Sequence, residues 1–138
     1  MLSKILHTFI LLIFLVFPAQ SQELVDIPSI RDVISNQFDA FQAKDHNRAY
    51  GFASPNIQQR FGSPENFGAM VRNGYPMIWS SEQFTFIDQE ARGSLVWQQI
   101  SVTDVNGTQH WFAYEMIKIK GEWRINGVYP TEAPMLST

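Results

Sequence analysis

Between Asp26 and Ala43 the apolar residues Ile30, Val33, Ile34, Phe38 and Phe41 recur at spacings of 3, 1, 4 and 3. That rhythm lays them along one stripe of an amphipathic helix. Pro28 falls in its first turn, and Arg31, Asp32, Asn36, Asp39 and Gln42 take the polar side. Lys44-Asp45 interrupts the pattern, and Asp45 suits the cap of a short second helix carrying Ala49, Tyr50, Phe52 and Ala53.

A doubled phrase follows, Ser54-Pro55 running to Gly62 and Ser63-Pro64 running to Gly74. A serine hydroxyl accepts a hydrogen bond from a first-turn N–H, and proline at the next position gives up an N–H that had no partner there. Each Ser-Pro therefore starts a helix, and each glycine, free to take positive φ, ends one. Phe61, Phe67, Met70 and Val71 are the expected inward residues. Pro76 is expected to hold Tyr75 extended and to end helical structure, leaving Tyr75 to Trp79 as an extended aromatic segment.

From Phe84 onward the period changes to two. Alternation runs through Phe84 to Gln89, Leu95 to Thr103, Gln109 to Ile119 and Glu122 to Val128, separated by Arg92-Gly93, Asn106-Gly107 and Lys120-Gly121. Four antiparallel strands in a meander are the expectation. Two-residue turns at all three places would put Phe84, Phe86, Trp97, Gln99, Phe112 and Tyr114 on one aromatic face, together with Asp88, His110 and Tyr129. Gln98, Ile100, Val102, Trp111 and Val128 would then share the other face with Glu115 and Arg124. The aromatic face is the one expected under the helices. One bulged residue would exchange the faces beyond it. Helices first and then a curved four-stranded antiparallel sheet is an α+β layout, a cone with a hollow between its layers.

The first residues change the picture of where the chain resides. Met1 to Lys4, the apolar run Ile5 to Phe17, and small residues at Ala19 and Ser21 have the form of a secretory signal with cleavage after Ser21. At 13 residues, Ile5 to Phe17 falls short of the roughly 20 needed to span a bilayer, so export to the periplasm or outside a bacterial cell is expected, with no stable membrane insertion. Residues 22–138 form a single domain, and with no cysteine in the sequence its core must hold without disulfides. Loss of Lys4 leaves nine cations against 13 acids, a net charge of −4. The cations are scattered, which argues against nucleic acid as a partner.

Ala53-Ser54-Pro55, Phe61-Gly62, Pro64-Glu65, Gly74-Tyr75-Pro76, Tyr114-Glu115-Met116 and Trp123-Arg124-Ile125-Asn126-Gly127-Val128 resemble a family of short exported bacterial proteins known as a domain of unknown function. The layout in turn is similar to the nuclear transport factor two-like superfamily, also called cystatin-like or SnoaL-like. That resemblance implies an α+β cone with a central pocket. It implies no particular activity, because the superfamily holds both isomerases or hydro-lyases and modules without chemistry.

Asp88, His110 and Tyr114 are the candidate catalytic residues, since acid–base chemistry needs titratable groups aimed into a dry hollow. Tyr75, Trp79, Phe86, Trp97, Gln99, Phe112 and Tyr114 are the candidate pocket residues, with Tyr75 and Trp79 forming a lip. No cysteine and few histidines leave no metal cluster, and no motif implies a cofactor. The leading expectation is a non-catalytic binding or assembly module holding a small apolar ligand, paired as a homodimer through its outer sheet face. The alternative is a cofactor-free isomerase or hydro-lyase.

Overall fold

Ser29 opens the structure, a computed structural model that describes residues 29–134, and its hydroxyl accepts from the Asp32 N–H while the Asp32 carboxylate accepts from the Ser29 N–H. This reciprocal pair fixes the start of α1, Ile30–Gln42. Pro28, expected in the first turn, therefore precedes the cap and lies outside the described residues, as does the proposed signal segment, residues 1–21. Ile30, Val33, Ile34, Phe38 and Phe41 are all buried along one stripe of α1.

Asp45 caps α2, His46–Gly51, by accepting from the Arg48 N–H. Ser54 and Ser63 cap α3, Pro55–Phe61, and α4, Pro64–Gly74, each with proline in the first turn. Gly62 ends α3 at φ +77°, a backbone state that glycine reaches without strain. Gly74 behaves differently: it remains inside α4, and Tyr75 is the capping residue. Pro76 does not end helical structure either. It opens a one-turn helix, α5 (Pro76–Trp79), because the Tyr75 carbonyl accepts from the N–H groups of Ile78 and Trp79. Tyr75 lies outside the helical region at φ −134°, ψ 56°, as proline demands of its predecessor, and proline at the next position then serves as a helix starter.

The sheet is a meander ordered β1-β2-β3-β4, with β1 Ser81–Arg92, β2 Leu95–Asp104, β3 Gln109–Ile119 and β4 Glu122–Thr131. The β3–β4 turn is the expected two-residue one, with Lys120 and Gly121 both at positive φ. The β2–β3 connection is longer. Asp104 draws the N–H groups of Asn106 and Thr108 onto its carboxylate, so Thr103 pairs with Gln109 and the register differs by one from that of a tight Asn-Gly turn. That single step reverses the expected faces of β2 against β3. Gln98, Ile100 and Val102 point inward with Phe112, Tyr114 and Met116, while Trp97, Gln99 and Ser101 point outward. Three irregularities add to the shift, one of them on β1 between Ser81 and Gln83. A second lies on β1 between Phe86 and Gln89, and the third is a bulge on β4 at Asn126, beyond which Val128 turns inward and Tyr129 outward.

The helices cover the inner face, and Phe38 of α1 stacks on Phe84 of β1 with ring centroids 4.2 Å apart. Gln98 is fully buried within this face, donating to the Asp88 carbonyl and accepting from the Gln89 amide. Such pairing is what makes a buried amide tolerable, and it holds the β1 bulge in place.

The corner between α2 and α3 is tied directly to the sheet. Ser54 N–H donates to the Ile125 carbonyl at 2.8 Å and Ile125 N–H donates to the Phe52 carbonyl at 2.9 Å, making Ala53 a parallel bridge partner of Ile125. The Ser54 hydroxyl then donates to Asn126 Oδ1 at 2.7 Å, and the Asn126 amide donates to Glu115. Ser54 thus has two tasks and Ser63 one. Ser54→Ala is expected to cost about 2 kcal/mol and Ser63→Ala about 1 kcal/mol in urea unfolding, the first losing a cap and a buried hydrogen bond together. Equal losses would mean that the Asn126 bond adds nothing.

Candidate functional site

A cavity of about 270 Å³ lies where α1, α3 and α4 meet β3 and β4. Its interior is set by Phe41 from α1, Ile57 and Phe61 from α3, Phe67 and Val71 from α4, and Ile78 from α5. The Asn126 bulge is the reason β4 contributes Val128 to this lining, since an unbroken alternation would have turned that side chain outward. Exposed Arg60, Tyr129 and Pro130 also line it, so the cavity opens to solvent at that end.

Polar groups inside are few. Gln37 donates its amide to the Ala49 carbonyl at 3.1 Å, and the Tyr75 hydroxyl donates to the Val128 carbonyl at 3.3 Å. Tyr114 is fully buried, and its hydroxyl has no hydrogen-bond partner among the described residues. Burial, and secondarily the nearby Tyr75 phenol, pushes the Tyr114 hydroxyl well above the ordinary tyrosine range. It therefore keeps its proton throughout the physiological range and remains a neutral donor. Arg60 is the one charged residue of the lining, and it makes no ion pair with another described residue.

A second hollow of about 240 Å³ adjoins the first, lined by Tyr75, Met77, His110, Trp111 and Phe112 among others. Tyr75 and Pro130 border both hollows. His110 Nε2 lies 2.9 Å from Asp104 Oδ2, and this contact, with the two loop N–H groups, holds the Asp104 carboxyl below the usual aspartate range. The imidazole is thereby tied to the β2–β3 loop.

The sequence-selected residues are distributed as follows. Tyr75 and Tyr114 line the main cavity, and Phe112 lines its neighbour. Trp79 is buried below the helices, against Phe41 and His46 and under the Lys44 ammonium, and so forms no lip. Phe86 packs edge-on against Phe84 beneath the Arg31 guanidinium. Trp97 and Gln99 stand on the outer face because of the register step, and Trp97 meets Tyr129 there at 5.5 Å. Asp88 is exposed on β1, an outer strand of the sheet. His110 lies four residues along β3 from Tyr114, about 13 Å at strand spacing. The structure does not bring Asp88, His110 and Tyr114 together around one reacting atom. Gln37, Arg60 and Asn126 are lining residues that the sequence reading passed over. Gln37 carried a signal, as a polar residue lying four positions from both Val33 and Phe41 on the apolar stripe.

Among the described residues no helix is long and apolar enough to cross a membrane, and no group of histidines and acids could hold a metal ion. The sequence pattern of a domain of unknown function, DUF4864, matches residues 23–138. No curated protein matches the chain. Among solved structures, a SEC-C motif-containing protein from Rhodopseudomonas palustris superposes with a TM-score of 0.56 at 14% identity, covering 76% of this chain and 80% of that one. An NTF-2-like protein of unknown function from Shewanella oneidensis superposes with a TM-score of 0.52, also at 14% identity, over 75% of this chain and 96% of that one. At such identities the likeness concerns the fold, an NTF-2-like α+β cone.

The isolated Tyr114 hydroxyl gives a prediction for stability. A buried hydroxyl without a partner costs about 1–3 kcal/mol of desolvation, whereas phenylalanine fills nearly the same space. Tyr114→Phe is expected to leave unfolding stability unchanged or raise it by about 1 kcal/mol. A clear loss in urea melts would show that the hydroxyl is satisfied in solution.

Proposed function

The chain belongs to the family of the domain of unknown function DUF4864, and we propose that it acts as an exported, non-catalytic binding module that holds a small apolar ligand between its helices and sheet. The observation that carries this reading is the main cavity, with its apolar wall from α1, α3, α4 and β4 and its sparse polar groups. Sites for small molecules are concave, mostly apolar and equipped with a few placed polar atoms. Acid–base catalysis needs a proton donor or acceptor within hydrogen-bond reach of one substrate atom. The separation of Asp88 and His110 from Tyr114 speaks for binding over turnover. Export rests on the sequence of residues 1–21.

Homodimerisation through the outer sheet face is part of the proposal. Leu95, Trp97, Trp111, Ile117 and Tyr129 share that face, and Tyr129 is 48% exposed. Apolar surface of this kind is better covered than left in water. Light scattering on the purified domain should give twice the monomer mass, with Trp111→Glu returning it to the monomer. A monomer at all concentrations would end this part of the reading.

Ligand binding has its own measurement. Octanone titrated into labelled protein should give saturable NMR shifts at Ile57, Val71 and Val128. Ile57→Trp, which fills the cavity from α3, should weaken binding about tenfold, since a blocked apolar contact surface costs on the order of 1.4 kcal/mol or more. Absence of saturable shifts at those residues would defeat the binding reading.

A further inference from the structure

The β2–β3 loop carries Asn106-Gly107-Thr108, the Asn-x-Thr spacing at which exported proteins accept a sugar chain on the asparagine amide. A tight hairpin turn would account for Asn-Gly by itself, since such a turn needs positive φ at both central positions and asparagine tolerates it. That account fails here. Lys120-Gly121 is the pair that takes this conformation, whereas Asn106 is not at positive φ and its loop is gathered by Asp104 instead.

The bonds that shape the loop all use backbone N–H groups. Those of Asn106 and Thr108 donate to Asp104 Oδ1 at 2.9 and 3.0 Å, and that of Gly107 donates to the Asp104 carbonyl at 3.0 Å. Neither the Asn106 amide nor the Thr108 hydroxyl bonds to any described residue, although both side chains have the capacity. Residues 105–108 are all exposed, with Val105 63% exposed at the tip, and the space beside Gly107 is open. We propose that Asn106 is an N-glycosylation acceptor, with Thr108 as the hydroxyl that the transferase reads and a lipid-diphosphate-linked oligosaccharide as the donor. A bond forms between the Asn106 amide nitrogen and the anomeric carbon of the first sugar, while the bond from that carbon to the diphosphate oxygen breaks. The lipid diphosphate leaves with the electron pair, the amide gives up one proton, and nothing is oxidised or reduced. This rests on the reading of residues 1–21 as an export signal and adds a site apart from the cavity. Of the seven asparagines in the sequence, only Asn106 has serine or threonine two residues on, so one position carries the whole expectation.

The full chain is purified from the exported fraction of its own host, and the tryptic peptide 93–118 is weighed by mass spectrometry. It should be heavier than its sequence by the mass of an oligosaccharide. Asn106→Gln and Thr108→Val should abolish the addition, and Thr108→Ser, which restores the hydroxyl, should retain it. All three variants should unfold at the same urea concentration as the unaltered protein when compared without glycan, because neither side chain holds the loop. An unmodified peptide from exported protein, or an addition that survives Asn106→Gln, would overturn the proposal. The same chain with residues 1–21 exchanged for a proven secretory signal separates the two readings. A glycan at Asn106 there, with the native chain retained in the cytoplasm, would defeat the export reading alone; no glycan behind either signal would overturn the acceptor site.

Discussion

The short backbone pairing between Phe52 to Ser54 and Ile125 is the constraint on which the arrangement of layers depends. A helical layer could slide on an apolar sheet at little cost, because dispersion and hydrophobic burial have no direction. Hydrogen bonds do have direction, and two of them fasten the α2–α3 corner to one point on β4. From there Pro55 launches α3 outward and α4 returns, so that the two short helices wall a space instead of collapsing onto β3. The Asn126 bulge lies at the same point, and Ser54 and Glu115 hold its side chain from both sides. Bulges are where strands bend and re-aim side chains, and here the bend directs Val128 toward the space that α3 and α4 leave open.

Local signals in the sequence determined the elements well. The apolar stripe of α1, the caps at Asp45, Ser54 and Ser63, and the period-two runs of β1 to β4 all appear at or near their expected places. Each is decided within a few residues, by a cap hydrogen bond or by alternation. Register is different, since parity is lost or kept by one residue. Asp104 withdrew the Asn106-Gly107 pair from a tight turn by capturing two N–H groups, and the faces of β2 reversed. The expected ring-bearing inner face is consequently divided. Phe84, Phe86, Phe112 and Tyr114 face the helices, while Trp97 and Tyr129 stack on the far side. Ile100 and Val102, expected outward, are wholly buried. Pro76 misled for a related reason: proline excludes helix before itself but permits one from itself onward.

Tyr114 survived both errors because it sits on β3, midway between the hairpin turns, where every register leaves it paired on both sides. Its cross-strand partner on β2 is Gln98 instead of the expected Gln99. The contrast between these two buried polar residues is instructive. Gln98 satisfies its amide through Asp88, Gln89 and Gln99 and so spends its polarity within the sheet. Tyr114, the cross-strand partner of Gln98 on the same inner face, has no such outlet among the described residues.

One end of the sheet is fastened by the Phe52 to Ser54 segment; β1, at the other end, leaves one row of backbone groups unclaimed among the described residues. Glu82, Asp88, Glu90 and Arg92 all project into water along this strand, and its ladder is broken twice by irregular pairing. A charged, kinked border of that sort offers a poor template for recruiting a foreign strand. A domain lacking disulfide cross-links thereby gains resistance to edgewise polymerisation from the same irregularity that seats Gln98.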